Sequence, residues 1–117
     1  MQRLTAEWVR KAEADWRAAR AMLEAKPAII DPACFHCQQV VEKFFKALLQ
    51  ERGLPIPHTH DLVHLLGLLV PHDASLARVG RGLDVLTTYA VENRYPGIHA
   101  TSRKAKAAYR RAERVRT

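Results

Sequence analysis

Apolar residues recur along the chain mainly every three or four positions, and stretches of strict apolar–polar alternation are absent. That periodicity predicts helices and no sheet. Leu4, Trp8, Ala12, Trp16, Ala19 and Leu23 trace one face of a first helix, with Thr5 as the expected N-cap, Glu7 in the first turn and Pro27 just past the end. Asp31 followed by Pro32 marks the expected start of a second helix. Its stripe is Cys34, Cys37, Val41, Phe44, Leu48 and Leu49, and Gly53 is its expected left-handed terminator. Leu54-Pro55-Ile56-Pro57 reads as an extended connector.

Thr59 is expected to cap a third helix that runs to about Val70, with Leu62, Leu65, Leu66 and Leu69 facing the core. A fourth helix is expected over about residues 75–93, weakened at Gly80 and Gly82, which either permit a close contact or mark a bend. The last helix, from about Ala100, turns Ala105, Ala108, Tyr109, Ala112 and Val115 one way and its basic residues largely the other. Short connections favour antiparallel neighbours, so the expected architecture is a single all-α domain over residues 1–117, an up-and-down bundle of four to five helices.

Composition narrows the class. The 117 residues are 48% hydrophobic and 26% charged, as in an ordinary globular protein. No apolar run approaches the roughly 18–20 residues of a membrane span. The N-terminal stretch is charged from its third residue and does not read as a secretory leader. Two cysteines make no disulfide framework, so a cytoplasmic location is expected. The net charge of +7 is unevenly distributed: residues 1–99 hold 12 basic and 11 acidic side chains, whereas residues 100–117 hold seven basic ones against Glu113 alone. A near-neutral body thus carries a basic C-terminal segment, which is either a solvated helix face or a phosphate-attracting stripe.

Four groups of residues are candidates for chemistry. Cys34 and Cys37 form a C-x-x-C, but they lie on an apolar helical stripe, where cysteine acts as a small hydrophobe. His58, His60, Asp61 and His64 crowd together without the glutamate of an H-E-x-x-H site, and a capped helix start explains them as well. Gln39, Glu42, Lys43 and Lys46 share a helix surface and can pair, meet a ligand, or simply be solvated. Arg94 and His99 span a turn. There a permanent cation can hold a phosphate and an imidazole can deprotonate a ribose 2′-hydroxyl, without a metal or cofactor.

Taken in order, these pieces resemble the HEPN domain proteins found beside minimal nucleotidyltransferases. The matching elements are Trp16 with Ala19 and Ala21; Phe35-His36 with Gln38-Gln39 and Glu42-Lys43 through Lys46-Ala47-Leu48-Leu49; Gly53; Thr59-His60-Asp61-Leu62 with Leu65-Leu66; and Tyr89 followed by Arg94-Tyr95-Pro96. The resemblance implies a helical bundle that dimerises around a nucleotide- or RNA-binding cleft and acts as the toxin-like half of a pair with a nucleotidyltransferase. Active members are metal-independent endoribonucleases with an R-x(4–6)-H motif, and Arg94 and His99 fit that spacing. Active members usually carry a polar residue after the arginine, where this chain has Tyr95-Pro96-Gly97. Thr101 stands where some partner enzymes adenylylate a tyrosine.

The expected nucleotide- or RNA-binding residues are therefore Arg94, Tyr95, Arg103, Lys104, Arg110, Arg111 and Lys43, with Arg94 and His99 as the catalytic pair of the nuclease alternative. A purely structural bundle is the remaining alternative. Expected partners are a second copy, a minimal nucleotidyltransferase, and nucleotide or RNA, with no membrane.

Overall fold

The computed structural model describes residues 2–91, 96–97 and 99–116. They form α1 (Arg3–Glu24), α2 (Ile30–Glu51), α3 (Leu62–Leu69), a 3₁₀ helix (Ala74–Val79), α4 (Leu83–Thr88) and α5 (Ser102–Arg116). No strand occurs among the described residues.

α1 and α2 are antiparallel. At one end the Gln2 backbone N–H and the Thr5 hydroxyl both donate to Glu51 Oε1 at 3.1 Å. Thr5 is therefore not the cap expected of it: the helix begins two residues earlier, and Thr5 is buried against the end of α2. Asp31 is likewise displaced from its expected cap position, because α2 begins at Ile30. Its carboxylate serves a distant backbone instead, accepting from Ala100 N–H at 2.7 Å. That contact sets the start of α5 beside the start of α2, so the two run in parallel and α5 is antiparallel to α1.

α2 ends as its sequence requires. Gly53 lies at φ +68°, its N–H meets Gln50 O at 3.1 Å, and Leu54 N–H meets Leu49 O at 3.0 Å, the paired bonds of a Schellman ending. α3 is capped by Asp61, which accepts from Val63 and His64, while Thr59 accepts from Asp61 N–H one step earlier. The remaining orphan donor, Leu62 N–H, is taken by Thr87 Oγ1 of α4 at 3.1 Å. The single helix expected over residues 75–93 is instead two short pieces, because Gly82 between them adopts φ +82°, a left-handed conformation that ends helical propagation.

The core gathers Trp16, Phe45, Leu49, Leu62, Leu65, Leu69, Leu83 and Leu86 around α2. The face of α2 is turned slightly from the expected stripe: Phe45 is fully buried, Phe44 is half-buried, and Leu48 is 37% exposed. Cys34 and Cys37 are free and buried, and burial pushes their thiols up to about 11 and about 12. At neutral pH they are unreactive core residues.

On the polar side of α2, where pairing, a ligand or solvation were all open, the side chains pair and are largely covered. Glu42 and Lys46 are almost fully buried and Gln38 completely so. Glu42 accepts from Gln38 and Lys46 at 3.1 Å and meets His60 Nδ1 at 2.7 Å. Gln38 also donates to His60 O at 3.0 Å. This cluster therefore ties the loop before α3 onto α2. Beside it, Asp15 of α1 holds His36 Nδ1 at 2.7 Å and Lys43 Nζ, one on each carboxylate oxygen. Each buried carboxylate thus has a cation and further donors, as burial demands.

Candidate nucleic-acid interface

α5 owes its orientation to alanines. Ala105, Ala108 and Ala112 are buried, and their small side chains let the helix lie close against α2 and α1. Trp16 closes the seam, stacked on Tyr109 with ring centroids 4.4 Å apart and planes at 17°. With that face buried, helical geometry turns Arg103, Ala107, Arg110 and Arg114 outward in one row, with Lys104 and Arg111 on the adjoining one. All but Ala107 and Arg111 are exposed, and those two are half-buried.

Arg116 leaves this face. Its Nε reaches both Glu13 oxygens at 3.0–3.1 Å, and its guanidinium lies 5.0 Å from the Trp16 ring centroid. The basic segment is therefore a face of five cations, with Lys106 at its margin, plus one that fastens the helix end to α1.

The face is not flat. Arg81, in the turn before α4, stands opposite α5 and closes a cleft of about 210 Å³ lined by Arg81, Ala107, Arg110, Arg111 and Arg114. Gly82 shapes one wall: a Cβ there would sit 2.0 Å from Arg111 Nε, so the guanidinium rests directly on bare backbone. Arg110 and Arg111 are among the expected binding residues; Arg81 and Arg114 are not. For Arg114 the available signal is its three-residue spacing from Arg111 and four from Arg110. Arg81 carries only its position beside a glycine in a turn.

His99 lies beside the start of α5, 71% exposed, with Nδ1 3.2 Å from Asp31 Oδ2. A carboxylate only accepts, so the ring donates from Nδ1 and its other nitrogen, Nε2, is left without a role in this contact. Asp31 thereby holds both this imidazole and the backbone at Ala100, two residues before the basic helix. The expected partner residues Arg94 and Tyr95 lie outside the described residues. Lys43 is not brought to this surface: it is engaged by Asp15 between α1 and α2. His60, with Glu42 as its partner, and Asp61, as a cap, are accounted for structurally. Among the described residues no group of three or more His, Cys, Asp or Glu is placed to hold a metal ion, and no helix is long and apolar enough to cross a membrane.

Comparison with known proteins adds a family. No curated protein matches the chain. Among solved structures, TT1696 from Thermus thermophilus superimposes with a TM-score of 0.84 at 26% identity, covering 97% of this chain and 94% of that one. ST0689, an archaeal HEPN homologue, superimposes with a TM-score of 0.74 at 28% identity, covering 98% and 93%. The family model of the HEPN domain matches residues 5–117, nearly the whole helical unit just described, and the chain belongs to the HEPN domain family.

Proposed function

We propose that this protein is an RNA- or nucleotide-binding HEPN module that works as a homodimer in the cytoplasm, as the toxin-like half of a pair with a minimal nucleotidyltransferase. The observation that supports this most is the outward face of α5, where Arg103, Lys104, Arg110 and Arg111 lie together while the alanines opposite them are buried. Such a face neutralises phosphates and releases counterions, so binding should weaken steeply with salt. Fluorescence anisotropy with a single-stranded RNA tests it. Replacing Arg103, Lys104, Arg110 and Arg111 by alanine should lower the slope of log K against log salt by up to about 3, at roughly 0.7 for each phosphate no longer neutralised. An unchanged slope would reduce the face to solvated surface. Copurification with a coexpressed nucleotidyltransferase from a neighbouring reading frame tests the pairing.

A second reading, a metal-independent endoribonuclease using Arg94 and His99, is favoured by the Asp31–His99 contact. An imidazole held through Nδ1 presents Nε2 as a general base toward a ribose 2′-hydroxyl, and an arginine would stabilise the charge developing on the phosphate. Incubation with total RNA in EDTA should then yield 2′,3′-cyclic phosphate ends with the wild type and none with Arg94→Ala or His99→Ala. Saturable binding without any cleavage would leave the binding module alone.

A further inference from the structure

The geometry points to the cleft between the Arg81 turn and α5 as a site for a terminal phosphate: the phosphomonoester or oligophosphate end of an RNA or a nucleotide. This deepens the RNA-binding reading and rests on it for the ligand's identity, though not for the site.

Four of the five lining residues are arginines, and none is a carboxylate. Arg81, Arg110 and Arg111 alone gather like charges in one small concavity, where they repel one another and an anion is favoured. The cations are also of one type. α5 carries Lys104 and Lys106 as well, yet every cation at the cleft is an arginine, whose planar fork pairs with two phosphate oxygens at once.

The site is also shaped. Ala107 provides a short side chain between the longer ones, leaving room for an anion to approach the helix. Gly82 lets the Arg111 guanidinium lie flush against the turn, where any Cβ would overlap it. A guanidinium seated in this way loses less freedom when it binds.

Charge density selects the end of a strand over its middle. A bridging phosphodiester brings one negative charge per nucleotide, whereas a phosphomonoester brings about −1.5 to −2 on three open oxygens. Two or three linked phosphates bring more into the same space. The cleft, with Arg81, Arg110 and Arg111 converging on it, suits the second kind of group; Arg103 and Lys104, farther along the same face, suit a strand passing by.

Anisotropy titrations of the full-length protein test this with one RNA sequence prepared with either a 5′-triphosphate or a 5′-hydroxyl, and with inorganic tripolyphosphate and ATP as competitors. The triphosphorylated RNA should bind about tenfold tighter or more, the equivalent of one charge-assisted contact. Arg81→Gln/Arg110→Gln should abolish that advantage. Arg103→Gln/Lys104→Gln, outside the cleft, should weaken both RNAs alike and leave their ratio unchanged. Melting temperatures near the wild type would show that the variants are folded.

Equal affinity for the two RNA ends, with tripolyphosphate failing to compete, overturns the proposal and leaves general RNA binding intact. Binding of tripolyphosphate or ATP that Arg81→Gln/Arg110→Gln removes, with neither RNA bound, upholds the site, assigns it to free oligophosphates and overturns the RNA reading instead.

Discussion

Glu42→Ala is expected to destabilise the protein by about 3–5 kcal/mol, because it strands a buried cation. Lys46 Nζ has its ion-pair partner in Glu42 Oε2, and only 9% of the Lys46 side chain is exposed. The substitution also removes an acceptor from Gln38 and the side-chain anchor of His60. Urea unfolding monitored by circular dichroism measures the loss. Glu42→Leu combined with Lys46→Met should recover most of it, since removing both charges leaves an apolar pair of similar volume. If Glu42→Ala alone costs under about 1 kcal/mol, as for an exposed pair, then water reaches Lys46 and the cluster is not closed.

The same cluster sets a pH dependence. Burial pushes the Glu42 carboxyl up, but hydrogen bonds from His60, Gln38 and Lys46, with the Lys46 charge, outweigh it and hold the group below its ordinary value of 4.5. The unfolded chain therefore binds this proton more readily than the folded one, and stability rises with pH across that window. The contribution is complete above 4.5 and is lost as pH falls through the lowered folded value. The stability gap between wild type and Glu42→Gln should accordingly narrow as pH falls below 4.5.

Trp16→Ala is the second large effect, expected at about 3–5 kcal/mol from lost burial and the cavity left behind. Its consequence is directional. Trp16 stacks on Tyr109 and lies beneath Arg116, so it is the main apolar tie between α1 and the basic helix. Hydrogen exchange should show α5 losing protection out of proportion to α2 and α3, and RNA affinity should fall even though no phosphate-facing residue has changed. Uniform loss of protection across all helices would show that α5 does not depend on this seam.

Much of the architecture was legible because its signals are local. The leucines at 62, 65, 66 and 69 are all buried as their spacing predicts, Gly53 ends α2 as a left-handed residue must, and the alanine face of α5 is the buried one. What was not legible depends on partners distant in sequence. Gln38, Glu42 and Lys46 share a side of α2, but periodicity cannot tell that the loop at His60 closes over that side. Asp31 carries every mark of a helix cap, yet its strongest partner is Ala100 N–H, 69 residues away. The break at Gly82 was visible only as a weakness, because its left-handed backbone and the arginine resting on it are tertiary facts. At the candidate site, the row of cations on α5 was readable from the helical repeat; the cleft was not, since Arg81 comes from a separate element.

Asp15 has one more consequence. His36 and Lys43, which it holds on its two oxygens, are seven residues apart on α2, or about two turns. The carboxylate sits between them like a tooth between two notches. Sliding α1 along α2 by a single turn, about 5.4 Å, would leave the apolar faces roughly in contact but would carry one buried carboxylate out of reach of one of its two partners. A long pair of helices with repetitive alanine- and leucine-rich faces has several nearly equivalent registers. In this protein, that one ionic contact makes a single alignment preferable to its neighbours, and through Trp16 it also determines where along the bundle the basic helix lies.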